Sequence, residues 1–147
     1  MRGGTLNVPG IVGLAKAYEL NYAEMEQNGE KLQRLSKLFM QELAQMQGIT
    51  RNGDSENALP SILNLRVEGV ENTALLYNMD LQGVSIAVGS ACSSASVKPS
   101  HVLTAMGLSE KAVKESVRLS LGKDNTEEEI IRGARIMREV VERLKKK

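Results

Sequence analysis

The side chains of this sequence best suited to chemistry are Cys92, Arg118 and Thr5, with His101 a weaker fourth. Cys92 is the only cysteine. A thiol serves as a nucleophile or group carrier when it can form thiolate and be reached by its reactants. Many free cysteines do neither and are simply small buried hydrophobes, and those sit in a strand or helix among larger apolar residues. Cys92 instead lies in Gly89-Ser90-Ala91-Cys92-Ser93-Ser94-Ala95-Ser96, where every residue is small and no periodicity survives. The segment predicts an exposed thiol on a mobile loop. It contains no base, and the nearest imidazole is His101. A lone histidine on a short surface helix is more often an ordinary polar residue. With no second histidine and no second cysteine, neither a metal site nor an internal disulfide is expected.

Arg118 sits in Ser116-Val117-Arg118-Leu119-Ser120-Leu121, which alternates like a half-buried strand. Val117, Leu119 and Leu121 share one face; Ser116, Arg118 and Ser120 share the other. A guanidinium held on a strand suits bidentate capture of a carboxylate, although an exposed strand arginine is commonly just a solvated charge. Thr5 follows Arg2-Gly3-Gly4 and precedes a helix start. Glycines and a hydroxyl in that position can bind phosphate through backbone N–H groups, or can be a frayed terminus.

The elements that must position these residues can be read from period and punctuation. Pro9 suits a first helical turn, and Val12, Ala15 and the Tyr18/Glu19 turn carry the pattern to Asn28-Gly29. A second helix is expected after that glycine, with Leu32, Leu35, Leu38, Phe39, Leu43 and Met46 on one face, ending at Gly48. A short strand over 49–51 precedes the turn Asn52-Gly53-Asp54. Residues 59–67 predict a strand with Leu63, Leu65 and Val67 on one side and Asn64 and Arg66 on the other. A helix over 72–81 follows, then Gly83 and a strand over 86–88. Pro99 opens a short helix ending near Gly107, and 110–114 adds another turn. Thr126 and Glu129 form a capping box for a final helix lined by Ile130, Ala134, Met137, Val141 and Leu144. The expected fold is α+β, about four short strands packed by helices on one side, forming a single domain over 1–147.

Bulk properties narrow the function classes. The net charge is +1, from 19 basic and 18 acidic residues, so nothing favours nucleic acid or an anionic membrane. Aromatic residues are 3% with no tryptophan, which argues against a base-stacking surface. No apolar run is long enough to span a bilayer, and no secretory leader is legible. A single cysteine suits a reducing, cytoplasmic compartment.

Four segments, taken in order, resemble the NifS/IscS-like cysteine desulfurases, fold-type I members of the class V aminotransferases. They are Gly89 to Ser96; Lys98-Pro99-Ser100-His101-Val102-Leu103; Ser116 to Gly122; and Thr126-Glu127-Glu128-Glu129-Ile130. The opening Arg2-x-Gly4-Thr5-Leu6-Asn7-Val8-Pro9-x-Ile11-Val12-Gly13 is similar to a family segment as well, with Gly3 where the family often has serine. The resemblance spans nearly the whole chain.

It implies a small C-terminal domain of a pyridoxal phosphate enzyme, usually a homodimer, that converts L-cysteine to L-alanine and a persulfide. Cys92 would be the nucleophile and persulfide carrier, Arg118 would bind the substrate carboxylate, and Thr5 would touch the cofactor phosphate, in the family typically that of the partner subunit. Acceptors of the sulfur would be Fe–S scaffold or tRNA-thiolation carrier proteins. The family's cofactor lysine, its ring-stacking histidine and its aspartate on the ring nitrogen belong to a large domain with no counterpart segment here. The chain is therefore expected to be the small domain alone and not to bind pyridoxal phosphate or turn over by itself. A competing expectation is a non-catalytic domain that only docks acceptor proteins or carries sulfur. A third is a plain α+β domain whose Cys92 is inert.

Overall fold

A computed structural model describes residues 3–54, 56–89 and 99–146. The first element is α1 (Val8–Leu43), a single helix of 36 residues. Asn7 caps it by accepting a hydrogen bond from the Gly10 N–H at 3.2 Å, and Pro9 sits in the first turn. The break expected at Asn28-Gly29 does not occur. An interior glycine costs a helix about 1 kcal/mol relative to alanine, which the hydrogen bonds on either side outlast; without proline or a left-handed residue there, nothing stops propagation. The left-handed residue comes at Gly48, φ 79°, after the helix has ended.

Three strands follow the predicted periods: β1 (Ile49–Arg51), β2 (Ile62–Val67) and β3 (Ser116–Ser120). They form an antiparallel sheet in the order β1-β2-β3. Ile49 pairs with Val67, and Asn64 pairs with Arg118. The fourth expected strand, over 86–88, is reduced to one bridge. Ala87 exchanges both backbone hydrogen bonds with Arg118, at 2.8 and 2.9 Å. Gly89, at φ 59°, then leaves the extended conformation, so the ladder cannot lengthen.

The helices are α2 (Asn72–Asp80), α3 (His101–Ala105), α4 (Glu110–Lys114) and α5 (Glu127–Lys145). Ser100, rather than Pro99, starts α3, its hydroxyl accepting from the Leu103 N–H. The Thr126/Glu129 capping box forms as expected, with both reciprocal hydrogen bonds present.

The core lies on the apolar face of the sheet. Leu63, Leu65 and Val67 of β2 and Val117 and Leu119 of β3 are buried there with Leu35, Phe39 and Leu43 of α1. Leu75 and Met79 of α2 and Ile130, Ala134, Met137 and Val141 of α5 complete it. Only the last part of α1 contributes. Residues 3–23 are exposed throughout, including Val8, Ile11, Val12, Tyr18 and Tyr22. Among the described residues no helix is long and apolar enough to cross a membrane.

Candidate functional site

The polar face of the sheet floors a cavity of about 560 Å³. Alternation carries Asn64 of β2 and Ser116 and Arg118 of β3 to that face, the one opposite the core. Walls come from the start of α2 (Glu71, Asn72, Thr73), from Ser100, Val102 and Leu103 at α3, and from Glu110, Val113 and Lys114 of α4. Gly89 and Pro99 also line it. These residues flank 90–98, so Cys92 lies outside the described residues while both flanks of its segment border the cavity.

Arg118 is fixed at its backbone from both sides, by β2 through the strand pairing and by Ala87 through two hydrogen bonds. Its side chain is exposed, which leaves the guanidinium available to a ligand. Around it the polar groups are anchored. Asn72 is buried and its amide donates to the Val113 and Ser116 carbonyls at 3.2 and 3.1 Å, tying α2 to the start of β3. Glu110 and Lys114 pair at 2.7 Å. The hydrogen bond and charge of Lys114 hold the Glu110 carboxyl below its usual range, and those of Glu110 hold the Lys114 ammonium above its own. Arg118 and the paired Lys114 make the cavity's fixed positive charge, balanced by Glu71 and Glu110. Such a floor has the chemistry to hold a small carboxylate: one guanidinium on rigid backbone, with apolar walls from Val102, Leu103 and Val113.

The other singled-out residues fall elsewhere. Thr5 is exposed ahead of α1, and no residue of α1 lines the cavity. The structure does not bring Thr5 and Arg118 together. A helix of this length is about 54 Å long, so its start lies far from the core that its last turns join. His101 is exposed and absent from the cavity lining. Among the described residues no cluster of histidine, cysteine, aspartate and glutamate could hold a metal ion. Asn64 went unremarked in the sequence beyond its direction on the strand; its pairing with Arg118 spans two distant segments and leaves no local signal.

The described residues do not by themselves compose a pyridoxal phosphate site. Lys114 is the cavity lysine among them, and its ammonium is engaged by the Glu110 carboxylate. Among the described residues no aromatic or imidazole ring lines the cavity to stack on a pyridine.

Comparison with known proteins adds an independent finding. The family model described as Aminotransferase class-V matches residues 1–132. The chain is 44% identical over 146 residues to the putative cysteine desulfurase IscS 1 of Bacillus subtilis, covering 97% of this chain and 38% of that protein. It is 40% identical over 144 residues to the cysteine desulfurase IscS of Methanosarcina thermophila, covering 98% and 36% respectively. Its fold superposes on a solved NifS-like protein with a TM-score of 0.85 at 28% identity, covering 97% of this chain and 36% of that one. The chain thus spans little more than a third of the length of the curated relatives it matches.

Proposed function

The chain belongs to the class-V aminotransferase family, and from that premise we propose that it is the small C-terminal domain of a cysteine desulfurase. The observation that carries this reading is the identity to cysteine desulfurases along nearly the whole chain. The geometry supports it, because the arginine expected to hold a substrate carboxylate lines the same cavity as both flanks of the cysteine segment. In the proposed reaction L-cysteine is the substrate, and Arg118 holds its carboxylate. Cys92, as thiolate, takes the substrate sulfur as a persulfide, and L-alanine leaves. Pyridoxal phosphate, held in such enzymes, supplies the electron sink that lets the carbon–sulfur bond break. Its lysine and ring contacts would come from a large domain outside residues 1–147, and Thr5 would touch its phosphate within a homodimer. The persulfide then passes to an Fe–S scaffold or tRNA-thiolation carrier protein in the cytoplasm.

The lack of fit to the cofactor among the described residues favours a second reading for the chain acting alone: a domain that carries sulfur or docks acceptors without turnover. One experiment separates the two. The chain is combined with the large domain of a relative, pyridoxal phosphate and L-cysteine, and L-alanine is measured. Desulfurase function predicts alanine formation that Cys92→Ser abolishes and for which Arg118→Ala raises KM by roughly 10- to 100-fold, the worth of a charge-assisted hydrogen bond. Alanine formation unchanged in Cys92→Ser would refute the assigned role. No alanine in any mixture would favour the non-catalytic reading.

A further inference from the structure

Along the cavity floor runs a relay of hydrogen bonds whose polarity is set at one end. The Ala112 carbonyl has no proton to give, so Ser116 must donate its single hydroxyl proton to it, at 2.6 Å. The Ser116 Oγ can then only accept from Asn52, whose Nδ2 lies at 2.9 Å. The same Nδ2 donates its other proton to Oδ1 of Asn64 at 2.7 Å. Ser116 is buried with its one proton committed to Ala112, and that fixes in turn the donors and acceptors of the half-buried Asn52 and Asn64. The relay therefore fixes the Asn64 amide with its oxygen turned down into the network. Its NH₂ group is left for the cavity that Asn64 lines, and among the described residues it meets no acceptor.

The register puts that NH₂ group beside the guanidinium. Asn64 and Arg118 are directly opposed across β2 and β3. The backbone N–H and C=O of Arg118 are both engaged by Ala87 on its other side. The Asn64–Arg118 pair is thus the non-hydrogen-bonded kind, in which Cα atoms approach to about 4.5 Å and side chains are closest. A carboxylate offers about four lone-pair positions and can accept from both groups at once.

We propose that Asn64 is a second carboxylate-binding residue, donating from Nδ2 to the same carboxylate that Arg118 holds. This rests on the reading of Arg118 as a carboxylate site given above. Arginine supplies charge, and the oriented amide supplies direction. An amide with its oxygen turned to the cavity would repel the same guest, so the relay from Ala112 selects for an anion.

The test is a titration of the ¹⁵N-labelled chain with L-alanine, an unreactive carboxylate, and separately with L-alaninamide, which lacks the charge. Side-chain signals of Asn64 NH₂ and Arg118 Nε–H are followed. The expected result is that L-alanine moves both and L-alaninamide moves neither. In Asn64→Asp the oxygen that accepts from Asn52 is kept, the donor is lost, and a carboxylate faces the guest. L-Alanine binding should weaken roughly tenfold or more, with backbone signals of the core unchanged. If Arg118 responds while Asn64 does not, or if Asn64→Asp binds L-alanine as well as the parent, Asn64 is not a ligand and the Arg118 reading survives. If neither signal moves, both assignments fall.

Discussion

At the level of single residues, the charges that matter to stability are those that burial forces into fixed partnerships. Glu115 is the clearest. It is buried, accepts from the Gly69 N–H at 3.0 Å, and holds Arg66 at 2.7 Å. Burial works to raise its carboxyl; the Gly69 N–H and the Arg66 guanidinium more than offset this, so it titrates below the usual 4.5. A carboxyl depressed in the folded state contributes stability that is fully present above its unfolded value and lost as pH falls through the folded one. Glu115→Gln should therefore cost about 1–3 kcal/mol at neutral pH, and urea denaturation across pH 2–7 should show a flatter acid limb than the parent. An acid limb of equal slope would mean that Glu115 carries no such linkage. The exposed pairs Lys16–Glu19 and Arg34–Glu127 contribute little by comparison, since solvent screens them.

At the level of elements, α1 is one helix with two environments. Leu35, Phe39 and Leu43 are buried against the core, and Arg34 and Lys31 reach across to Glu127 and the Lys123 carbonyl. Residues 8–23 are exposed and hold their helix by backbone hydrogen bonds, the Asn7 cap and local pairs such as Lys16–Glu19. An isolated helix of that length is marginal in water. Native-state hydrogen exchange of the chain alone should show amides of 35–43 protected to near the global stability and those of 12–23 exchanging through low-energy local opening. Uniform protection along the helix would contradict this division. The same contrast explains the mistaken break at Gly29. The apolar face shifts character there, from exposed to packed, and the sequence reads as two helices although the backbone runs on.

At the level of the whole molecule, one continuous core joins three helices to one face of the sheet, and the other face carries the cavity. Met137 is fully buried within that core. Met137→Ala should destabilise the fold by about 2–5 kcal/mol, and thermal unfolding should remain a single transition because no second core exists among the described residues to melt separately. Two resolved transitions would show that the cavity side and the helical side fold independently. The division of labour follows from the pleat: alternate residues of β2 and β3 feed either the core or the cavity, so stability and ligand binding are carried by different side chains on the same strands.

The sequence alone determined what is local. Strand alternation, the capping box at Thr126 and the small-residue run around Cys92 each depend on neighbours within a turn or a pleat, so they are legible in a few residues. Arg118 could be assigned a face for the same reason, whereas its carboxylate role came from the resemblance. Tertiary structure decided what depends on distant pairing. The expected strand over 86–88 became one bridge because Gly89 turns the chain away. Thr5 stayed far from Arg118 because α1 runs unbroken. Asn64 came to stand beside Arg118, 54 positions on, through a register set by which apolar residues both strands must bury. Its amide acquired a direction only because Asn52, Ser116 and Ala112 meet beside it on the polar side of the sheet. Periodicity can say which way a side chain points, but only packing can say what it meets there.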